Sequence, residues 1–225
     1  MSRDISGFED ASDDPYQLNI IVKDTKNFTS LEIMKALAKA IVDFVPVRQE
    51  AAERGENWIE WLNGRFRKIV KRLKPSQFDK LSAQLTNDFV EHSVFENDEV
   101  SIVIISPQRK SFQPSYLKRA QLSGLTIVKE DIVEDWDKTK STVLVNQSAD
   151  MSVSKMLVSS SHAVQMAKQF VYDSETLSMD DFNISEFDFV LLDIDESISY
   201  DVEIVDAGLT EVASGTMTAA VVFQK

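Results

Sequence analysis

The chain has 225 residues, 43% of them hydrophobic, enough to bury a core in one large domain or two small ones. It carries a formal net charge of −13 and no cysteine, which excludes disulfides, thiolate catalysis and cysteine-ligated metals. That charge also argues against a surface built to hold nucleic acid all over, so DNA is not an expected partner, and two histidines, His92 and His162, are too few for a histidine-rich metal site.

The N-terminal stretch "MSRDISGFEDASDDP" has neither a basic region nor an apolar one, so it does not read as a signal peptide, and no later run reaches membrane-spanning length. A cytoplasmic location is the default expectation. Residues 1–14 read as a solvated acidic tail.

"YQLNIIVKD" (16–24) predicts a first strand, and "TSLEIMKALAKAIVDFV" (29–45) a helix with Leu31, Met34, Leu37, Ala38, Ile41 and Val42 on one face. Thr29 and Glu32 have capping-box spacing. Residues 46–60, with Pro46 and a charged run, read as a helical turn or loop. In "GRFRKIVKRLK" (64–74), Phe66, Ile69, Val70 and Leu73 recur at helical spacing, with a short strand as the competing reading. "SQFDKLSAQL" (76–85) reads as a helix and "EVSIVIIS" (99–106) as a buried strand. "YLKRAQLS" reads as a short helix that Gly124 ends, and the charged run at 129–141 reads as a linker.

The second half repeats the order: a strand at 142–147, a helix from Ser152 to about Val171, and strands at 187–194, 200–206 and 216–223. The expected fold is therefore α/β, a mixed, mostly parallel sheet with helices on both faces in three layers. The expected division is an N-terminal unit at 15–128, the linker, and a C-terminal unit at 142–225. At one fixed offset Val22, Thr29, Ile33 and Ala40 correspond to Val145, Ser152, Met156 and Ala163. A tandem duplication forming an intramolecular pseudo-dimer, and so a monomer, is one reading; a common α/β pattern without shared ancestry is the other.

Charge is unevenly spread. Residues 169–224 contain no lysine or arginine, whereas residues 64–74 carry Arg65, Arg67, Lys68, Lys71, Arg72 and Lys74 and no acid. Most simply this stretch is the wet face of an amphipathic element; its freedom from acids also makes it the candidate RNA contact. Trp58, Trp61 and Trp136 read as packing anchors, with base stacking as the lesser reading.

The run "VDAGLTEVASGTMTAAVV" places an Asp-Ala-Gly turn and three threonines before the last apolar run. A hydroxyl on an apolar strand needs a partner, and Asp206 is near in sequence. This run resembles the C-terminal signature of the type II peptidyl-tRNA hydrolases, and "ADMSVSKMLVSSSHAVQMA" (149–167) is similar to their N-terminal one. The long N-terminal half is similar to the extended, actinobacterial-like members of that family.

The resemblance implies hydrolysis of the ester joining a peptide to tRNA, with peptidyl-tRNA as partner and no cofactor. It implies a site of Lys155, His162, Asp206, Thr210 and Thr218. Asp206 would orient or deprotonate a water, Lys155 would face phosphate or oxyanion, and the threonines would orient the reacting groups. The chain departs from the family pattern at Ser154, Ser159 and Glu211, and in the first unit Glu32 and Lys39 stand at the offsets of Lys155 and His162. The alternative is a binding module that holds RNA or protein without turnover. His162 alone reads as a helix-surface or core histidine, and Ser159, Ser160 and Ser161 lack the sharp turn that presents a nucleophilic serine.

Overall fold

The computed structural model describes residues 14–25, 28–64, 66–97, 100–112, 114–121, 125, 127–128, 133–195, 197, 199–206 and 212–224. Residues 1–13 of the tail expected at 1–14, residues 129–132 of the expected linker, Arg65, Gly124, Thr210 and Glu211 lie outside them. Asp14 is anchored: its carboxylate accepts from Ser111 N and Ser111 Oγ, each at 2.6 Å.

The first half runs β1 (Tyr16–Lys23), β2 (Phe28–Thr29), α1 (Ser30–Phe44), α2 (Ala51–Arg54), α3 (Glu56–Asn63), β3 (Lys68–Leu73), α4 (Pro75–Asn87), β4 (His92–Glu96) and β5 (Ser101–Arg109). A short β6 (Ile127–Val128) pairs in parallel with β2. The second half runs β7 (Thr142–Asn146), α5 (Val153–Asp173), β8 (Asp188–Leu192), β9 (Val202–Val205) and β10 (Met217–Val222).

Two four-stranded sheets result, in the orders β3-β1-β5-β4 and β8-β7-β10-β9. Each has one parallel pair, β1 with β3 and β7 with β8, and two antiparallel pairs. The fold is α/β with mixed sheets, and the expected mostly parallel sheet is corrected. The physical reason is β5 in one sheet and β10 in the other: each pairs antiparallel with the first strand of its sheet on one side and with β4 or β9 on the other.

The halves agree in register as well as in order. Ile20, Ile21 and Val22 face Ile104, Val103 and Ile102; Val143, Leu144 and Val145 face Val221, Ala220 and Ala219. Thr29 and Ser152 stand at the fixed offset that relates β1 to β7, and each is the N-cap of its long helix, Oγ accepting from the backbone N–H three residues on.

Strand alternation assigns the faces. Leu18, Ile20 and Val22 of β1 join Val143 and Val145 of β7, together with α1 and α5, in one continuous core. Ile21, Val103 and Ile105 point the other way, onto Phe78, Leu81 and Leu85 of α4. The first sheet therefore has helices on both faces. The opposite face of the second sheet, with Leu144, Leu192, Met217 and Ala220, packs against Trp136 and Tyr200. That face carries no α-helix among the described residues.

Polar locks join the halves across α5. Lys168 Nζ donates to Val42 O and Val45 O, both at 2.8 Å, at the end of α1, where the last turn holds no basic residue of its own. Gln169 Oε1 accepts from Arg48 N at 2.9 Å.

The basic stretch forms β3, so the helical reading of 64–74 gives way to the strand. Helical spacing of Phe66, Ile69, Val70 and Leu73 is misleading because two lysines point inward: Lys68 and Lys71 are both buried. The segment 46–60 is more ordered than expected, with α3 burying Trp58, Trp61 and Leu62. The helix expected at "YLKRAQLS" shortens to a single turn, Leu117–Arg119.

Candidate functional site

Lys155 lies in the first turn of α5, whose N-cap is Ser152; Ser152 Oγ accepts from Lys155 N at 3.3 Å. A lysine there is opposed by the helix dipole, so it needs an anion close by. Asp206 supplies one. Lys155 Nζ donates to Asp206 Oδ2 from 51 residues away, with the two side chains 13% and 6% exposed.

The backbone fixes the carboxylate. Asp206 N donates to Thr216 O at 2.9 Å and Gly215 N to Asp206 O at 2.9 Å. Gly215 has φ 88°, a left-handed conformation suited to glycine, so this glycine closes the turn that returns the chain into β10.

Thr218 occupies an irregularity of the β9–β10 ladder, where Val205 faces Met217 but Ile204 faces Ala219. Its hydroxyl donates to Ile204 O at 3.2 Å. The partner that the threonine requires is thus a strand carbonyl, where the sequence suggested Asp206.

His162 stands two turns further along α5, facing the first half. Its Nε2 donates to Phe66 O at 2.9 Å. Burial, then the positive charges of Lys68 and Lys155, hold its imidazole well below the usual histidine range, against the opposing pull of the Phe66 carbonyl. Lys68 reaches from β3 to donate to Gln165 Oε1 at 2.7 Å and lies over the Trp61 ring, 5.5 Å from its centroid. Burial holds its ammonium well below the usual lysine range.

Four of the five expected site residues are described, Thr210 being the exception, and they fall into three places. Lys155 and Asp206 meet; Thr218 serves the adjoining strand irregularity; His162 belongs to a contact between the halves. The Phe66 carbonyl and the charge of Lys68 act on His162 without any sign of it in the sequence, because an intersegment carbonyl and a buried lysine leave no spacing pattern. The three serines of α5 are occupied locally: Ser160 Oγ donates to Leu157 O at 3.1 Å, Ser161 Oγ to Val158 O at 2.7 Å, and Ser159 Oγ lies 3.7 Å from Met151 Sδ.

At the matching offset in the first half stand residues of different chemistry. Glu32, at the offset of Lys155, bonds within its own turn: its Oε2 accepts from Thr29 N at 2.7 Å in the capping box. Lys39, at the offset of His162, is exposed over the Phe95 ring.

Of the candidate RNA contacts, Arg67 and Lys74 are exposed. Arg72 pairs with Asp24 at 2.5 Å, and Lys68 and Lys71 are buried, the ammonium of Lys71 also lowered by burial. Strand geometry disperses side chains that a helix would have ringed. Among the described residues, no group of three or more histidine, aspartate or glutamate side chains could hold a metal ion, and no helix is long and apolar enough to cross a membrane.

No known protein family, no curated protein and no solved structure matches the chain.

Proposed function

We propose that this protein is a peptidyl-tRNA hydrolase, cleaving the ester between a peptide and tRNA with a positioned water at Lys155 and Asp206. The observation that carries the reading is their contact: each residue belongs to a different signature, and the two side chains meet at the end of the second sheet. An aminoacyl ester is already activated. A carboxylate to orient water and a cation near the developing oxyanion are adequate chemistry for its hydrolysis.

Within this reading the first half is a degenerate copy that replaces a partner subunit, and the molecule is a monomeric pseudo-dimer. Its support is the common strand order and register, the shared core, and the replacement of Lys155 by Glu32 at the matching position.

A second reading, a binding module without turnover, is favoured by one observation. Of the basic side chains described in this stretch only Arg67 and Lys74 are exposed, a small electrostatic footprint for tRNA in a chain of net charge −13.

The test is release of labelled peptide from peptidyl-tRNA by the wild type and by Lys155→Met and Asp206→Asn variants that remain folded by circular dichroism. Turnover lost in both variants supports the hydrolase. A folded wild type that releases nothing, where a control hydrolase works, leaves the binding module.

A further inference from the structure

Phe66 is a bulky residue with φ 51°, in the left-handed region that such side chains avoid. Backbone outliers of this kind persist where the surroundings over-determine them, and they cluster at functional sites. The surroundings here are explicit. The Phe66 ring meets Trp61 edge-on with centroids 5.9 Å apart, Trp61 meets Trp58 at 5.9 Å, and Trp58 meets Phe44 at 5.5 Å. The next carbonyl, Arg67 O, accepts from Trp61 Nε1 at 2.8 Å and from Leu18 N at 2.9 Å. Both the Phe66 ring and the peptide after Arg67 are thus tied to the first half, and the Phe66 carbonyl between them is left directed at α5.

That carbonyl can only accept, so His162 Nε2 carries the proton and Nδ1 keeps its lone pair. No described residue bonds Nδ1. Side chains on a helix lean toward its N-terminus, and seven residues of rise separate His162 from Lys155 by about 10 Å. An acceptor at that distance meets a part of the substrate beyond the ester. Exposed Arg67, adjacent to Phe66, favours the nucleotide side, where the phosphates are.

We propose that Phe66 is a positioning residue: its carbonyl fixes the His162 tautomer so that Nδ1 accepts a hydroxyl or amino donor from the terminal nucleotide of tRNA. The inference rests on the hydrolase reading for its substrate, and on geometry alone for the tautomer.

The experiment uses the full chain with nitrogen-labelled histidine, His92 and His162 being told apart by His162→Gln. Long-range proton–nitrogen spectra of the wild type are expected to show the Nε2–H form of His162, and uncharged tRNA is expected to shift its Nδ1 resonance. Phe66→Gly and Phe66→Asn, which tolerate the left-handed backbone, keep that form; Phe66→Val, which does not, gives mixed tautomers. All three lose the phenyl packing, so the contrast between them isolates the carbonyl. In peptide release, Phe66→Val falls roughly tenfold below Phe66→Gly in kcat/KM, the worth of one hydrogen bond.

An Nδ1–H form in the wild type, indistinguishable Gly and Val variants, or an Nδ1 resonance indifferent to tRNA would each overturn the proposal. Absent hydrolysis beside an Nε2–H tautomer and a tRNA-induced shift would remove the enzyme reading and leave this one standing.

Discussion

Thr29 and Ser152 perform the same task at the same place in the two halves: Thr29 Oγ1 accepts from Glu32 N at 3.2 Å, and Ser152 Oγ from Lys155 N at 3.3 Å. The residue held by each cap differs in sign. Glu32 turns back on its own cap, whereas Lys155 turns to Asp206. Thr29→Ala and Ser152→Ala are each expected to lower stability by about 1 kcal/mol. Urea unfolding measures it, and an unchanged midpoint for either variant would show that its hydroxyl contributes nothing.

The Lys155–Asp206 pair is nearly removed from solvent, so deleting one partner leaves the other charge buried alone. Lys155→Met and Asp206→Leu are each expected to cost about 3 kcal/mol, and the double variant much less than their sum. Additive losses in a double-mutant cycle would sink the coupling.

His162 makes stability depend on acidity. Its folded pKa is depressed, so between that value and the unfolded pKa of about 6.5 the unfolded chain binds the extra proton. Stability contributed by the neutral imidazole is complete above about pH 6.5 and is lost as pH falls toward the folded pKa. The facing charges are Lys68 on β3 and Lys155 on α5, and both add to the repulsion of a proton. His162→Gln is expected to unfold with a shallower acid slope from about pH 7 to 5; parallel slopes would count against it. Lys68 acts at the other end. Its depressed pKa makes wild-type stability rise as pH climbs toward about 10.5, a rise that Lys68→Met lacks.

The shared core predicts that the halves do not part. Leu18, Ile20 and Val22 lie in one cluster with Val143, Val145 and the apolar face of α5. A fragment of residues 133–225 is expected to aggregate or self-associate, while the full chain runs as a monomer in light scattering. A cooperative, monomeric fragment is the result that would refute this.

Much of the fold is legible in the sequence because apolar periodicity and local order agree. β1, α1 with its capping box, β5, α5 and the last three strands lie where their patterns put them. β3 is obscured because two lysines occupy inward positions, which alternation in apolar residues cannot reveal. β4 is obscured for the opposite reason: it is an edge strand with His92, Ser93, Phe95 and Glu96 leaving little contrast between faces. Sheet direction is misread because β5 and β10 are continuous apolar runs of the kind expected in a parallel sheet, yet both pair antiparallel. At the site, the sequence singles out Lys155 and Asp206, and the structure adds their contact. The Phe66 carbonyl is not legible, because main-chain atoms have no letter.

Strand order in the first sheet bears on how the chain is made. β1 must wait for β5 to gain its second neighbour, yet every strand of that sheet is complete once Arg109 has been added. A nascent chain can therefore close the sheet while α5 is still inside the ribosome. From then until Asp173 emerges, the face of α1 that α5 will cover stays bare, with the carbonyls of Val42 and Val45 waiting for Lys168. Slow codons or a stalled ribosome between those points would hold an apolar helix face open to chaperones and to other nascent chains.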